Sequence, residues 1–576
     1  MTIEVIDSKY DPIKIEGEIF NFWNENDIYK KVKNKNKGKQ KFYFLDGPPY
    51  VTNPIHVGTA WNKIIKDIYL RYYRMNGYDV WDIPGYDMHG LPIEVQVEQI
   101  LKFKTKKDVL KFGVDNFIVK CRNYALENLK IQENQFKNLG IWMDWDNPYM
   151  TIKNEYIEGV WYFIKKSHEK NLLYKGEKIV HWCPRCETVL ANVEVTEEYR
   201  EKEDPSIYVK FKILNSNEYL LIWTTTPWTL PSNVAVAIHP NEVYVYAQDD
   251  RGEILIFAKK RIEDLEKETG RKFKILREVQ GKKLEGLRYE HPLSALIPIQ
   301  NKIEHKVILS EQFVTMLEGT GCVHIAPGHG KEDYELGRIY NLPMISPVDS
   351  SGKFTNEIQV YEGIYVFDAN ERIIEDLKKV NALYFNTKIQ HRYPHCWRCK
   401  TPLILKLSEQ WFLDVPKIRD ELIRKALMIR WFPKDALENR VIPWLKNVHE
   451  WALSRQRFWG IPLPIWICSN CDNVIVIGSI NELISHAINI PPNSQIDLHK
   501  PWIDKVEIKC TKCGGTARRI PDVLDVWVDS GAASWASLNY PQNKYLFEQL
   551  YPSDLVLEFL HRLCQNTFTK ECLGNS

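Results

Sequence analysis

Apolar and polar positions along the chain change their period several times. Residues 1–40 read as a helix with charged edges that runs out in KVKNKNKGKQ. KFYFLDGPPY follows, an apolar run that reads as a strand and stops at Gly47-Pro48-Pro49, because proline cannot continue a ladder. From about Gly58, Ala60, Ile64, Ile68, Tyr72 and Met75 recur at helical spacing, which predicts a helix with one apolar face and Gly77 as its stop. YDVWDIPGYDMHG adds a second short strand and a loop. Strand, helix, strand is a βαβ unit and predicts a parallel sheet. Residues 106–175 carry further helical patterning. From about 200 to 395 come short β-rich runs such as EYLLIWTTT, VYVYAQ, EILIFA and GCVHIAP, separated by Pro, Gly and Asn turns. They predict a separate β-rich domain. Residues 400–460 return to helices and aromatic loops, and short strands reappear over 461–520.

Composition narrows the class. The chain has 576 residues, and at roughly 100–200 residues per domain that predicts roughly three to five domains. Hydrophobic residues at 44% and charged residues at 26% exclude a mainly disordered chain. Lys+Arg is 77 against 75 Asp+Glu, so the net charge of +2 excludes a histone-like mode of nucleic-acid binding. A local basic patch stays open. The sequence offers no apolar stretch long enough to span a bilayer. Its start, MTIEVIDSKYDPIKIEGE, has neither an apolar signal core nor an Arg-rich, acid-poor character. The expected compartment is the cytoplasm, with no membrane partner.

Of the 12 cysteines, eight form four Cys-x-x-Cys pairs: Cys183/Cys186, Cys396/Cys399, Cys468/Cys471 and Cys510/Cys513. Two thiolates on one tight turn can face one cation, and two such turns complete a tetrahedral zinc site. The last two pairs are close enough to form one zinc ribbon, over 466–515. The first two flank the β-rich stretch, where a zinc would clamp the stalks of an inserted domain. The competing reading is a redox Cys-x-x-Cys, which belongs at the strand-to-helix junction of a thioredoxin-like unit; no such unit is visible. Four thiolates close each site, so the predicted role is structural. Cys121 and Cys322 read as buried small residues.

GPPYVTNPIHVGTAWNK, residues 47–63, lies after a strand and opens a helix. A helix N-terminus offers unpaired N–H groups and positive potential, which suit a triphosphate. His56 and Thr59 can donate to phosphate oxygens, and Gly58 lets the backbone pass close to a base. The Walker pattern GxxxxGK[ST] is absent. Taken alone, the bland reading is a histidine capping an ordinary helix.

His56-Val57-Gly58-Thr59 resembles the HIGH motif of class I aminoacyl-tRNA synthetases, with Thr in the last position, and the helix after it is similar too. PGYDMHGLPIE (84–94), LSRQRFWGIPLPIW (453–466) and DVLDVWVDSG (522–531) resemble the isoleucine branch of that family. The resemblance implies an α/β fold: a class I Rossmann-type parallel-sheet catalytic domain with an inserted β-rich editing domain and a zinc ribbon. It implies that His56, Gly58 and Thr59 serve catalysis, that Asp87 binds the amino acid's ammonium group, that Pro49 and Trp527 wall an apolar pocket, and that Glu558 contacts the adenylate. An unaided reading of Trp527 is a core aromatic. TTTPWTLPSN (224–233) and GTGCVHIAPGHGKEDYELG (319–337) resemble the editing domain of the same branch. By that resemblance Thr224, Thr225, Thr226 and Asn233 line a hydrolytic pocket, His324 lies beside the terminal adenosine, and Asp333 binds the α-amino group.

The expected division is 1–185 for an N-terminal helix and the first half of the catalytic domain, 186–398 for the editing insertion, 399–558 for the second part with the ribbon, and 559–576 for a divergent tail. After Glu558 the chain reads FLHRLCQNTFTKECLGNS and departs from the family. The KMSKS loop and the helical anticodon-binding region are missing, so the chain reads as C-terminally truncated. Losing lysines that meet the pyrophosphate implies activation slowed by roughly 10²–10³ per key donor. The expected function is that of an isoleucine–tRNA ligase with hydrolytic editing of valine, using isoleucine, ATP with Mg2+ and the acceptor end of tRNA(Ile), with two structural Zn2+ ions, as a monomer. An editing-only deacylase, half of a split synthetase, and a zinc-stabilised RNA-binding protein are the alternatives.

Overall fold

In the computed structural model, residues 11–196, 198–490 and 496–557 are described. Two compact units emerge, one of Met1–Tyr174 with Trp411–Ser576, the other of Lys175–Gln410.

The first unit is organised around the Lys41–Leu45 strand. It pairs in parallel with Asp79–Trp81 on one side and with Leu555–Val556 on the other. Alternation places Phe42 and Phe44 in one buried cluster and Tyr43 and Leu45 in another, so both faces are covered. That is why the run is continuously apolar. The Val57–Met75 helix makes the crossover to Asp79–Trp81, and Gly77 follows it with φ +87°. The N-terminal stretch is two helices, Pro12–Glu25 and Ile28–Lys35, parted at Asp27 with φ 48°, not one. Helices Lys106–Phe112, Val114–Asn138 and Asn154–Glu169 fill the region patterned for helix.

The Val57–Met75 helix sits the other way round from its pattern. Its apolar residues point outward: Ile68 is 60% exposed and Met75 80%. Lys63, Lys66, Asp67, Leu70 and Arg74 are the buried residues. The cause is pairing. Lys63 and Lys66 both reach Asp46, Arg74 reaches Asp82, and Asp67 Oδ1 accepts from the Trp142 N–H at 2.9 Å. A buried charge with a partner overrides hydrophobic periodicity.

The second unit is β-rich. A six-stranded sheet runs Phe273–Gln280, Val243–Asp249, Ile254–Ala258, Glu218–Thr224, Tyr199–Lys212, Leu383–Pro394, and all neighbours but the central pair are antiparallel. A three-stranded sheet sets Ala235–Ile238 between Lys306–Leu309 and Cys322–Ile325. Within the first unit, four short antiparallel strands between Ile465 and Arg519 carry the second cysteine group. Among the described residues no helix is long and apolar enough to cross a membrane.

Candidate functional site

At the end of the Lys41–Leu45 strand, Asp46 accepts from Lys63, from Lys66 Nζ at 2.9 Å and from the Gly85 N–H at 3.0 Å. Burial works to raise its pKa, but the two ammonium groups outweigh it and hold the carboxyl below its usual range. Asp46 thus fastens the helix to the strand end and fixes where the loop between them can go. The Asp87 N–H donates to Pro49 O at 2.9 Å and the Val51 N–H to Asp87 O at 3.2 Å, zipping the loop to the 85–89 segment. The Val114–Asn138 helix braces the same loop. Gln132 Nε2 donates to Tyr50 O and Asn53 O, and Tyr124 Oη donates to Thr52 O at 2.6 Å.

Asp87 is fully buried, and Ser530 Oγ donates to its Oδ2 at 2.6 Å. Ser530 lies in the short Val526–Gly531 helix, whose first turn carries the buried Trp527. Asp525 caps that helix through the Trp527 N–H at 3.2 Å and is itself held by Arg455 and Trp451. Pro49, Asp87 and the Trp527 helix are therefore tied together through the Asp87 backbone and side chain. A buried carboxylate at such a place can pair with a small cation. His89, two residues on, bonds Asp529 of the same helix at 2.8 Å. His89, Asp529 and Ser530 were not singled out from the sequence, because their partners lie more than four hundred positions away.

His56 is the exposed N-cap of the Val57–Met75 helix. Its Nδ1 accepts the Thr59 N–H at 3.2 Å, and its Nε2 lies 3.1 Å from Thr59 Oγ1. A Cβ at Gly58 would stand 3.0 Å from the His56 ring, so glycine lets the imidazole fold over the helix start. This exposed helix start offers N–H groups and an imidazole to an anion. Glu558 and the 559–576 tail lie outside the described residues.

The second unit holds a cavity of about 330 Å³ lined by Thr224, Thr225, Thr226, His324 and Asp333. Thr229 and His329 line it too and were missed. The hydroxyls form a row: Thr224 to Thr226 at 3.3 Å, Thr226 to Thr229 at 3.4 Å, Thr229 to His324 Nε2 at 2.9 Å. The run TTTPWT, with hydroxyls at 224, 225 and 226 leading into a 3-10 turn that carries the fourth, was the available signal for Thr229. Burial lowers both His324 and His329 to about 4, so both are neutral near pH 7. Burial pushes Asp333 up to about 6, against a 2.8 Å bond from the Ala326 N–H. Neutral imidazoles, hydroxyls and a carboxyl titrating near neutrality can orient water and meet an amine.

Asn233 does not line this cavity, which corrects the expectation from the sequence. It is fully buried, its Nδ2 donates to Ala235 O at 2.9 Å, and its Oδ1 accepts from Tyr289 Oη at 2.7 Å. Its amide is spent on the fold.

The cysteines gather as their spacing predicts. Cys183, Cys186, Cys396 and Cys399 form one group and Cys468, Cys471, Cys510 and Cys513 another, with the sulfurs of each within 4.8 Å of one another. Either group could hold one metal ion. Cys121 and Cys322 are buried and stand apart from both.

The family model described as "tRNA synthetases class I (I, L, M and V)" matches residues 18–563. The isoleucine–tRNA ligase of Sulfolobus acidocaldarius is 53% identical over 559 residues, covering 96% of this chain and 52% of that protein. That of Archaeoglobus fulgidus is 50% identical over 559 residues, covering 96% and 54%. The chain thus spans about half the length of the curated relatives it matches. With a family match over nearly its whole length and half of its residues shared with these relatives, the chain belongs to the class I aminoacyl-tRNA synthetases, in the group for isoleucine, leucine, methionine and valine.

Proposed function

We propose that the chain forms the activating and editing parts of an isoleucine–tRNA ligase. The observation that carries this reading is the Asp87–Ser530 bond, which gathers a buried carboxylate, Pro49 and the Trp527 helix at one place. Asp87 would pair with the ammonium group of isoleucine, and Pro49 and Trp527 would wall its side chain. ATP would lie along the start of the Val57–Met75 helix, where His56 and Thr59 meet its phosphates, Gly58 leaves room for the nucleotide, and Mg2+ is bound chiefly through the phosphates. The isoleucine carboxylate attacks the α-phosphorus, giving isoleucyl-adenylate and pyrophosphate. A hydroxyl at the acceptor end of tRNA(Ile) then takes the isoleucyl group and releases AMP. By the family's pattern Glu558 would contact the adenylate.

One methylene gives only about 1–3 kcal/mol of discrimination, a limit long associated with this enzyme class. Valyl products would therefore need removal. In the cavity of the second unit Asp333 would hold their α-amino group, and Thr224, Thr225, Thr226 and Thr229 with His324 would orient water for ester hydrolysis. That unit's cavity is assembled wholly from its own residues, which favours a second reading: hydrolysis as an activity separable from activation.

The metal in each cysteine group would be zinc. A Zn–S bond of about 2.3 Å sets tetrahedral sulfurs roughly 3.8 Å apart. The 3.4–3.8 Å spacings among Cys468, Cys471, Cys510 and Cys513 fit that size. Four thiolates leave no open position, so the role is structural. The same reading makes the chain a cytoplasmic monomer. Isoleucine-dependent ATP–pyrophosphate exchange tests activation, and hydrolysis of valyl-tRNA(Ile) tests the second cavity on its own.

A further inference from the structure

Five side chains form a hydrogen-bonded row beside Asp87. Asp529 Oδ2 lies 2.8 Å from His89 Nδ1, and His89 Nε2 lies 2.9 Å from His499 Nε2. His499 Nδ1 lies 2.7 Å from Asp497 Oδ1, and Arg122 Nη2 donates to Asp497 Oδ2 at 2.6 Å. His89, Asp529 and His499 are sealed, at 0%, 1% and 2% exposure. Each link holds one proton, so the row has a direction.

The direction is set at the Arg122 end. Burial works to raise the Asp497 pKa, but His499 and Arg122 outweigh it and hold the carboxyl below its usual range. A carboxylate only accepts, so His499 Nδ1 donates. In the opposite arrangement Nδ1 would accept from Arg122 Nη2 at 3.2 Å, and its lone pair would face the Asp497 carboxylate at 2.7 Å. A neutral His499 then accepts at Nε2. His89 donates from Nε2 and accepts at Nδ1, and the last donor in the row is Asp529. The rings are neutral because burial lowers His89 to about 3 and His499 to about 4. The Arg122 charge beside them acts the same way.

We propose that Asp529 is a neutral carboxylic acid that donates its proton to His89, so that of the two neighbouring acids Asp87 alone carries the charge that meets the amino acid. This rests on the reading of Asp87 as the ammonium partner. Of the groups facing Asp529, its own backbone N–H favours the charged form, and burial and the neighbouring charge outweigh it. Tyr156 Oη donates to its backbone oxygen at 2.6 Å, not to its carboxyl. Asp525, in the same helix turn, adds negative charge, and burial and that charge push Asp529 far above its usual range. Its Oδ1 has no hydrogen-bond partner among the described residues. An unpartnered carbonyl oxygen of a neutral acid costs far less to bury than half of a carboxylate. A carboxyl kept neutral at pH 7 in order to donate is a known use of a buried acid. One buried charge matches one ammonium group, whereas a second carboxylate, one residue from the Ser530 that bonds Asp87, would be left uncompensated. Asp529 is thus a positioning residue, acting through His89 and through the helix that carries Ser530.

The test is infrared difference spectroscopy of the full, zinc-loaded chain, wild type minus Asp529→Asn, at about pH 8, where the Asp333 carboxyl with its pKa of about 6 is ionised. The expected result is a protonated-carboxyl stretch in the wild type that is lost in the variant and shifts in D2O. Asparagine is neutral and can donate to His89, so Asp529→Asn should weaken isoleucine binding less than about threefold. Asp87→Asn should weaken it about tenfold or more. Absence of the acid band, or a loss in Asp529→Asn as large as in Asp87→Asn, overturns the proposal. If Asp529→Asn does not fold, ¹³C-aspartate in an Asp522→Asn/Asp87→Asn background answers directly, since it removes Asp522, which burial also raises, and Asp87, a buried acid beside the row. A label-shifted acid band upholds the neutral Asp529, and its absence overturns it. An acid band together with isoleucine binding indifferent to Asp87→Asn upholds the neutral acid and overturns the reading of Asp87.

Discussion

Ser530 Oγ donates to Asp87 Oδ2 at 2.6 Å across 443 positions of sequence. The bond orients a buried carboxylate from one segment by a hydroxyl from another. Asp87→Asn should raise the KM for isoleucine by about 10–100-fold, the scale of a hydrogen bond to a charged group at about 1.5–3 kcal/mol. Ser530→Ala, which leaves the charge but frees its direction, should cost about 3–10-fold. Steady-state exchange kinetics with varied isoleucine measure both.

The buried Lys63 and Lys66 both pair with Asp46. Asp46→Asn leaves two ammonium groups without it and should cost about 3–5 kcal/mol, read by urea unfolding at pH 7. The pH dependence follows from the depressed folded-state pKa. Folding binds this carboxyl's proton less tightly than the unfolded chain does. Its stabilisation is therefore complete above the ordinary aspartate pKa of about 3.9 and is lost as pH falls through the lower folded value. The variant's unfolding curve should be flatter than the wild type's across that acidic window.

Two zinc ions per chain should be released by thiol modification and counted by a colorimetric chelator. Cys183→Ser and Cys468→Ser should each lower the count by one. Each should also lower the melting temperature, because binding free energy at a closed thiolate site is folding free energy.

Burial places the Asp333 carboxyl at about 6. Below that pH the group is neutral and cannot pair with an α-amino cation. Hydrolysis of valyl-tRNA(Ile) should rise with pH through a midpoint near 6, since Asp333 is ionised only above it. Asp333→Asn should remove that limb and slow hydrolysis by about 10–100-fold, leaving isoleucine-dependent exchange in the first unit in place. Initial rates from pH 5 to 8 decide it.

How far the sequence was legible depended on the range of each interaction. The Lys41–Leu45 strand was plain because a parallel strand covered on both faces needs four apolar residues in a row. The cysteine groups were plain because half of each site is local, two thiols on one turn. The Val57–Met75 helix was legible in period but not in face, since its orientation follows Asp46 and Asp82, which lie outside it. Asn233 sits in a motif whose threonines line the cavity, and Tyr289, 56 residues away, shows that its amide is spent on packing. The row from Asp529 to Arg122 joins four separated segments, and no local pattern announces it.

The central claim is that this chain recognises isoleucine at Asp87, and amino-acid-dependent ATP–pyrophosphate exchange by the zinc-loaded protein tests it most directly. Isoleucine, valine, leucine and methionine should be compared side by side, with His56→Ala as the control. The account predicts exchange above the control with isoleucine, valine following at roughly a hundredfold lower kcat/KM, and leucine and methionine near background. Preference for leucine or methionine, or no exchange above His56→Ala from a folded protein, would contradict it.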